Sequence, residues 1–156
     1  MTLDSHPASR PLVIFDLDGT LALVEHRLHH IRGARRDWSR FFAACTDDSP
    51  NSPVVALLRS LHREAGWEVR IWSGRSDEVR AETEAWLRRH VGIELPLIMR
   101  LRGDHQPDVT LKESWLLALS PADRARLRFI VDDRDAVVQM WRRHGVVCLQ
   151  CAEGRF

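Results

Sequence analysis

Apolar and polar positions along the chain switch between two periods. Short, nearly all-apolar runs fit buried strands at Leu12–Phe15, Val69–Trp72, Leu97–Met99, Phe129–Val131 and Val146–Leu149. Between them, apolar residues recur at helical spacing. Val54, Val55, Leu57, Leu58 and Leu61 mark one helix, with Ser52 as its N-cap and Pro53 in its first position. Glu78–His90 is a second helix, ending before Gly92, and Leu111–Leu119 a third. Asp135–His144, closed by Gly145, is another. Strands apolar on both faces and separated by helices imply a parallel sheet covered on both sides. The expected fold is therefore α/β, a doubly wound, Rossmann-like parallel sheet of five strands.

The stretch from Val24 to Asn51 breaks this rhythm. It is long for a strand-to-helix connection and rich in Arg, His and Asp, with Trp38, Phe41 and Phe42 embedded. Long connections inside compact domains carry function or small structures of their own. The pattern predicts a small helical cap insert at about 24–51, lying over the carboxyl edge of the sheet, within one domain spanning 1–156.

Composition sharpens this picture in three places. No apolar run approaches the ~18 residues a membrane span needs, and Met1–Pro11 is short and polar, so neither a span nor a secretory leader is expected. Three cysteines are too few for a disulfide framework, which fits a cytoplasmic protein. The net charge of +1 hides a strong bias, because 22 of the 23 basic residues are arginine and Lys112 alone is lysine. A lysine retained in such a chain suggests a crowded site that needs a compact, flexible ammonium, with coincidence as the competing account.

Ligands of doubly wound sheets bind beyond the carboxyl ends of the strands. The first strand runs into Asp16-Leu17-Asp18-Gly19-Thr20, the second ends in Ser73-Gly74-Arg75, and the fourth ends in Asp132-Asp133-Arg134. Carboxylates converging there must protonate or recruit a cation, and an incomplete all-oxygen cage suits Mg2+. One Asp pair alone would read equally well as a polar turn. Pairs ending two buried strands, with Ser-Gly-Arg ending a third, favour a site.

These residues follow the order of the haloacid dehalogenase motifs: DLDGTLA, Ser73, Lys112 and the DD of VDDRD. The chain resembles more closely the phosphatase domain of phage polynucleotide kinase-phosphatases. That likeness lies in FDLDGTLA, Arg32-Gly33, Ser73–Arg75, Arg102–Asp104, Asp108 followed by Lys112, and the block from Asp132 to Phe156. The resemblance implies that Asp16 is the nucleophile of an aspartyl-phosphate pathway and that Asp18 is its acid and base. It further implies that Ser73 and Lys112 steady the phosphoryl oxygens. Mg2+ would be held by Asp16, the main chain of Asp18, Asp132 and Asp133. Thr20, Arg32, Gly74, Arg75, Arg100 and Asp108 are the residues expected on the substrate side, Asp108 by orienting Lys112 or an arginine.

Substrate choice is expected from the insert. Arg27, Arg32, Arg35, Arg36 and Arg40 suit a phosphodiester strand, while a solvated face of an arginine-rich protein is the competing reading. The leading expectation is a stand-alone polynucleotide 3′-phosphatase acting on nucleic-acid 3′ ends, with a separate kinase or ligase as partner. A nucleotidase for free nucleoside monophosphates and a non-catalytic nucleic-acid-binding module are the alternatives. A P-loop needs Gly-Lys-Ser/Thr, and the one lysine sits between Leu111 and Glu113, so no kinase motif is present in this sequence. Cys148 and Cys151 have metal-ligand spacing but no second ligand pair, and read as packing. His26, His29 and His30 read as a surface stripe, and Trp38 as a loop cap or a base-stacking residue.

Overall fold

The computed structural model describes residues 10–154. The leading polar stretch read for the absence of a leader lies almost wholly outside the described residues, as do the last two residues of the Asp132–Phe156 block. The strands are β1 (Leu12–Phe15), β2 (Ala22–Leu23), β3 (Ser49–Pro50), β4 (Glu68–Ser76), β5 (Leu97–Arg100), β6 (Leu127–Arg134) and β7 (Cys148–Gly154). The α-helices are α1 (Trp38–Ala43), α2 (Ser52–Arg59), α3 (Arg80–His90), α4 (Asp108–Leu117), α5 (Pro121–Arg126) and α6 (Asp135–Arg143).

Five strands form a parallel sheet in the order β5-β4-β1-β6-β7, with β1 at the centre. Alternate residues of β1 enter different cores, which is why the run reads as continuously apolar. Val13 and Phe15 join Val69, Ile71 and Val131 against Val55, Leu58, Trp86 and Leu87 of α2 and α3. Leu12 and Ile14 join Trp72 and Ile130 against Leu116 of α4 and Val137, Val138 and Trp141 of α6. Burying each such side chain contributes roughly 1.5–3 kcal/mol, so both cores hold the central strand in place.

Register then aims the chemistry. Phe15 pairs with Ile71 on one side and Val131 on the other, and the Asp16 amide donates to the Val131 carbonyl at 2.9 Å. β1 ends at Phe15, while β4 and β6 run on paired only to their outer neighbours, so Asp16, Ser73 and Asp132 come together at one edge of the sheet.

The insert is helical, as its composition suggests. A 3₁₀ turn at Glu25–His30, α1, and a second 3₁₀ turn at Ala44–Asp47 rise from the antiparallel β2–β3 pair. Val24, Leu28 and Phe41 form its own core with Ile31 and Phe42. Several boundaries differ from expectation. β4, β6 and β7 extend beyond their apolar runs because neighbouring strands continue to pair through polar residues, Arg134 with Gly154 for example. Asn51, not Ser52, is the N-cap of α2. The short α5 has no apolar stripe to announce it, although Ser120 caps it by accepting from the Asp123 amide at 3.0 Å.

Candidate active site

At the carboxyl edge of the sheet, β1 delivers Asp16, β6 delivers Asp132 and Asp133, and α4 carries Asp108 and Lys112 one turn apart. The Lys112 ammonium donates to Asp16 Oδ1 at 2.7 Å and to Asp132 Oδ2 at 3.0 Å, and lies 3.5 Å from Asp108 Oδ2. Lys112, Asp16, Asp132 and Asp133 are all buried. Asp132 is held further by the Trp141 indole N–H at 3.2 Å and the Arg134 amide at 3.2 Å, which ties the site to the second core. Asp108 also pairs with Arg100 at 3.3 Å and Arg134 at 3.6 Å. It therefore faces both Lys112 and two arginines.

One ammonium does not balance these carboxylates. Burial pushes the Asp16 carboxyl well above its usual range; Lys112 opposes this, and Asp132, Asp133 and Asp108 add to it. Burial, then Asp132, pushes Asp133 up to about 7. Burial alone would discharge Lys112, but Asp108, Asp132 and Asp16 hold it firmly protonated. Asp16, Asp132 and Asp133 each offer an oxygen within 4.8 Å of one another. An all-oxygen set with surplus negative charge fits a hard divalent cation. The Asp18 side chain is not part of that triad.

Asp18 belongs to a second cluster that fastens the insert to the sheet. Its Oδ1 accepts from Arg75 Nε at 2.7 Å and from Arg27 Nη2 at 2.7 Å. Both arginines also bind Asp48, through Arg27 Nε at 2.7 Å, Arg27 Nη2 at 2.7 Å and Arg75 Nη2 at 2.6 Å. His26 Nε2 reaches Asp48 Oδ1 at 2.8 Å, and the Trp86 indole donates to the Asp48 carbonyl at 2.7 Å. Burial raises the Asp18 pKa, but Arg75 and then Arg27 outweigh it, and the carboxyl is held below its usual range.

This cluster revises two expectations. Arg27, grouped with the strand-binding arginines, is fully buried and turned inward, with Phe41 beneath its guanidinium at 4.1 Å. Arg75, expected at the substrate, is likewise fully buried and donates to Asp18, Asp48 and Thr83. Asp48 was not singled out from the sequence, and Arg27 was named only among the strand-binding arginines.

The other expected residues are placed as follows. Ser73 is buried at the end of β4, its Oγ accepting from the Arg75 amide at 3.2 Å. Thr20 donates to Asp133 Oδ1 at 3.3 Å, so it positions a carboxylate of the triad. Arg100 ties the site's loops together, donating to the Gly74 carbonyl at 2.9 Å and the Gln106 carbonyl at 2.7 Å. Gly74 leaves room for Asp108, whose carboxylate a Cβ there would strike. Arg32 lies exposed on the insert, and among the described residues no hydrogen bond or ion pair joins its side chain to the carboxylates. Gly154, unremarked in the sequence, packs against the Asp133 main chain.

Gly19 has the sharpest requirement. Its φ is +84°, and a Cβ would run into the Asp133 carboxylate. Gly19→Ala is expected to cost about 1–2 kcal/mol from the left-handed backbone alone, before the collision is counted. Thermal unfolding should show the loss, and any catalysis that uses the triad should fall with it because Asp133 is displaced. Wild-type values for both would refute this account of the loop.

Comparison with known proteins follows this geometry. Residues 10–156 match the polynucleotide kinase PNKP phosphatase domain. The chain belongs to that family, within the haloacid dehalogenase superfamily. This phosphatase domain is similar to a chain in the structure of the Pnkp1/Rnl/Hen1 RNA repair complex, at 31% identity over 99% of its own length, with a TM-score of 0.77. A second structure of the Pnkp1/Rnl/Hen1 complex matches at 32% identity over 96%, with a TM-score of 0.76. The chain spans about half the length of those relatives, 47% and 48%. The haloacid dehalogenase-like hydrolase SP0104 from Streptococcus pneumoniae shares the fold at 12% identity, with a TM-score of 0.54 over 90% of this chain and 84% of that one. Among the described residues no helix is long and apolar enough to cross a membrane.

Proposed function

We propose that this phosphatase domain removes the terminal phosphate from polynucleotide 3′ ends. The observation carrying the reading is the buried contact of Lys112 with Asp16 and Asp132 beside the triad Asp16, Asp132 and Asp133, in a chain of this family. Asp16 attacks phosphorus, the phosphorus–oxygen bond to the sugar breaks, and an aspartyl-phosphate forms. Water then attacks the phosphorus of that acyl phosphate, releasing inorganic phosphate and returning Asp16 as a carboxylate. Lys112 neutralises charge on the transferring group as it develops, and the Ser73 hydroxyl donates to it. Asp16, Asp132, Asp133 and the main chain of Asp18 would hold Mg2+, which would supply the Lewis-acid charge that lets an anionic nucleophile meet an anionic ester.

Asp18 serves both halves of the cycle. Held as a carboxylate by Arg75 and Arg27, it is ready to take a proton from the attacking water. An arriving phosphate dianion raises its pKa by charge repulsion, which favours the protonated form needed by the leaving oxygen. The reading includes a cytoplasmic setting, supported by the free thiols of Cys45, Cys148 and Cys151. It also includes a kinase or ligase partner, for which the Pnkp1/Rnl/Hen1 RNA repair complex is the precedent.

The test is phosphate release from a 3′-phosphorylated oligonucleotide and from nucleoside 3′- and 5′-monophosphates, with Mg2+ or with EDTA. Preferred release from the oligonucleotide that EDTA suppresses and Mg2+ restores is expected. Release from mononucleotides alone would replace the reading with a nucleotidase. No release from any of them would leave a non-catalytic nucleic-acid-binding module.

A further inference from the structure

The insert carries an unusual patch beyond its anchored base. An amide-to-carbonyl bond of 2.8 Å from Asp37 to His30 pinches off the loop between them, and Gly33 turns within it at a φ of +106°. Arg32, Arg35 and Arg36 lie on this loop, all exposed, and among the described residues their guanidiniums have no hydrogen-bond or ion-pair partner. The other insert arginines differ. Arg27 is buried on Asp18 and Asp48, and Arg40 pairs with Asp37 at 3.4 Å.

Trp38 follows the loop directly. It is 41% exposed, yet its ring is fixed against Phe42 at 5.9 Å and edge-on to Phe41 at 5.7 Å. Three like charges within five residues of one loop lack a counter-charge among the described residues, and the indole beside them, packed on one side by Phe41 and Phe42, leaves its remaining surface open. A polyanion with flat apolar rings answers both features, because phosphates pair with the forks and bases stack on the indole. The patch is also tethered to the reaction centre. Arg27 is hydrogen-bonded to Asp18, and five residues of chain reach at most about 18 Å to Arg32.

We infer that the loop bearing Arg32, Arg35 and Arg36, with Trp38, is the landing surface for the single strand that leads into the Asp16 site. This inference rests on the 3′-phosphatase reading and names the part of the chain that makes the substrate a polymer. The strand's phosphodiesters meet the loop arginines while its terminal phosphate meets Lys112 and Ser73. DNA and RNA share this chemistry, and the experiment uses both.

The experiment compares wild type with R35Q/R36Q and with W38A. Substrates are 3′-phosphorylated single strands of DNA and RNA, a matching mononucleotide 3′-phosphate, and p-nitrophenyl phosphate, each across a salt series. For R35Q/R36Q the KM for the strands is expected to rise on the order of tenfold at low salt. The slope of log KM against log salt should flatten by about 1.4, roughly 0.7 for each lost single-strand contact. W38A should raise the same KM on the order of fivefold, through lost stacking. Hydrolysis of p-nitrophenyl phosphate, which has no phosphodiester to offer the loop arginines, reports that the folded centre is intact.

Unchanged strand KM and salt slope in R35Q/R36Q, with wild type active on strands, would overturn the inference alone. Equal loss on strands and p-nitrophenyl phosphate would overturn it as well, since the loop would then be acting on the centre. Wild type that cleaves p-nitrophenyl phosphate but no strand would overturn the 3′-phosphatase reading and this surface with it. A stronger effect on RNA than on DNA would assign the surface to RNA, and the reverse to DNA.

Discussion

Asp16→Asn and Lys112→Met are both expected to abolish phosphate release, yet to shift the stability of the metal-free protein in opposite directions. Asp16 is a buried carboxylate whose charge the fold resists: burial opposes its ionisation first, and Asp132, Asp133 and Asp108 repel it, with only Lys112 in favour. An acid whose folded pKa stands above its unfolded one weakens the folded state once the pH exceeds the unfolded pKa, so at neutral pH its ionisation is a liability. Asn removes that charge and leaves Lys112 with Asp132 and Asp108. The melting temperature in EDTA should rise. Lys112→Met does the reverse, stranding three carboxylates in a buried site, and removal of one partner from a buried pair costs about 3–5 kcal/mol. For a domain of this size each kcal/mol moves the melting temperature by roughly 2–4 °C, so the drop should be large. Lys112→Arg should not rescue activity, because a planar fork does not fit where an ammonium is 1% exposed among carboxylates. Mg2+ should stabilise the wild type more than Asp16→Asn, which has lost a ligand. Melting shifts of the same sign in the two variants, measured beside the phosphate assay, would dismantle this picture of the charge cluster.

The sheet and this cluster were legible in the sequence for a common reason. Asp16, Asp132 and Asp133 each interrupt or end an all-apolar run, and the parallel topology those runs imply brings strand ends together. Lys112 was legible because it is the one lysine among 23 basic residues. The insert's network was not. Arg27 meets Asp48 across a separation of 21 residues, and Arg75 meets it across 27, so no local pattern pairs them. In the sequence Arg27 is one arginine among five in the insert, and Asp48 is the second of two adjacent acids. Only burial separates Arg27 from its neighbours. The motif Ser73-Gly74-Arg75 marked the right place but not the right contact, because a guanidinium fork fits a carboxylate as well as a phosphate. At position 19 a left-handed backbone, a local requirement, adds to the close Asp133 side chain, whereas the need for glycine at 154 comes from the Asp133 main chain crossing close by, which is tertiary information.

Asp48→Asn is expected to damage catalysis without touching the triad, and the damage should depend on the leaving group. Asp18 and Asp48 balance Arg27 and Arg75, two charges of each sign in a buried cluster. Asparagine keeps the shape but presents an NH2 group to a guanidinium, donor against donor, and leaves one positive charge in excess. Breaking such a pair costs about 3–5 kcal/mol, so the melting temperature should fall. The released arginines also no longer fix Asp18 between them. If Asp18 delivers the proton to the leaving oxygen, its misplacement matters most for a basic alkoxide and least for a phenolate that leaves unprotonated. The kcat/KM of Asp48→Asn should therefore fall on the order of a hundredfold for a small alkyl phosphate, within the usual range for a positioned acid, and far less for p-nitrophenyl phosphate. Equal losses on the two esters would mean that the network supports the fold and not the proton transfer. No loss on either would mean that Asp18 holds its place without Asp48, and that the insert is fastened to the sheet by its apolar contacts alone.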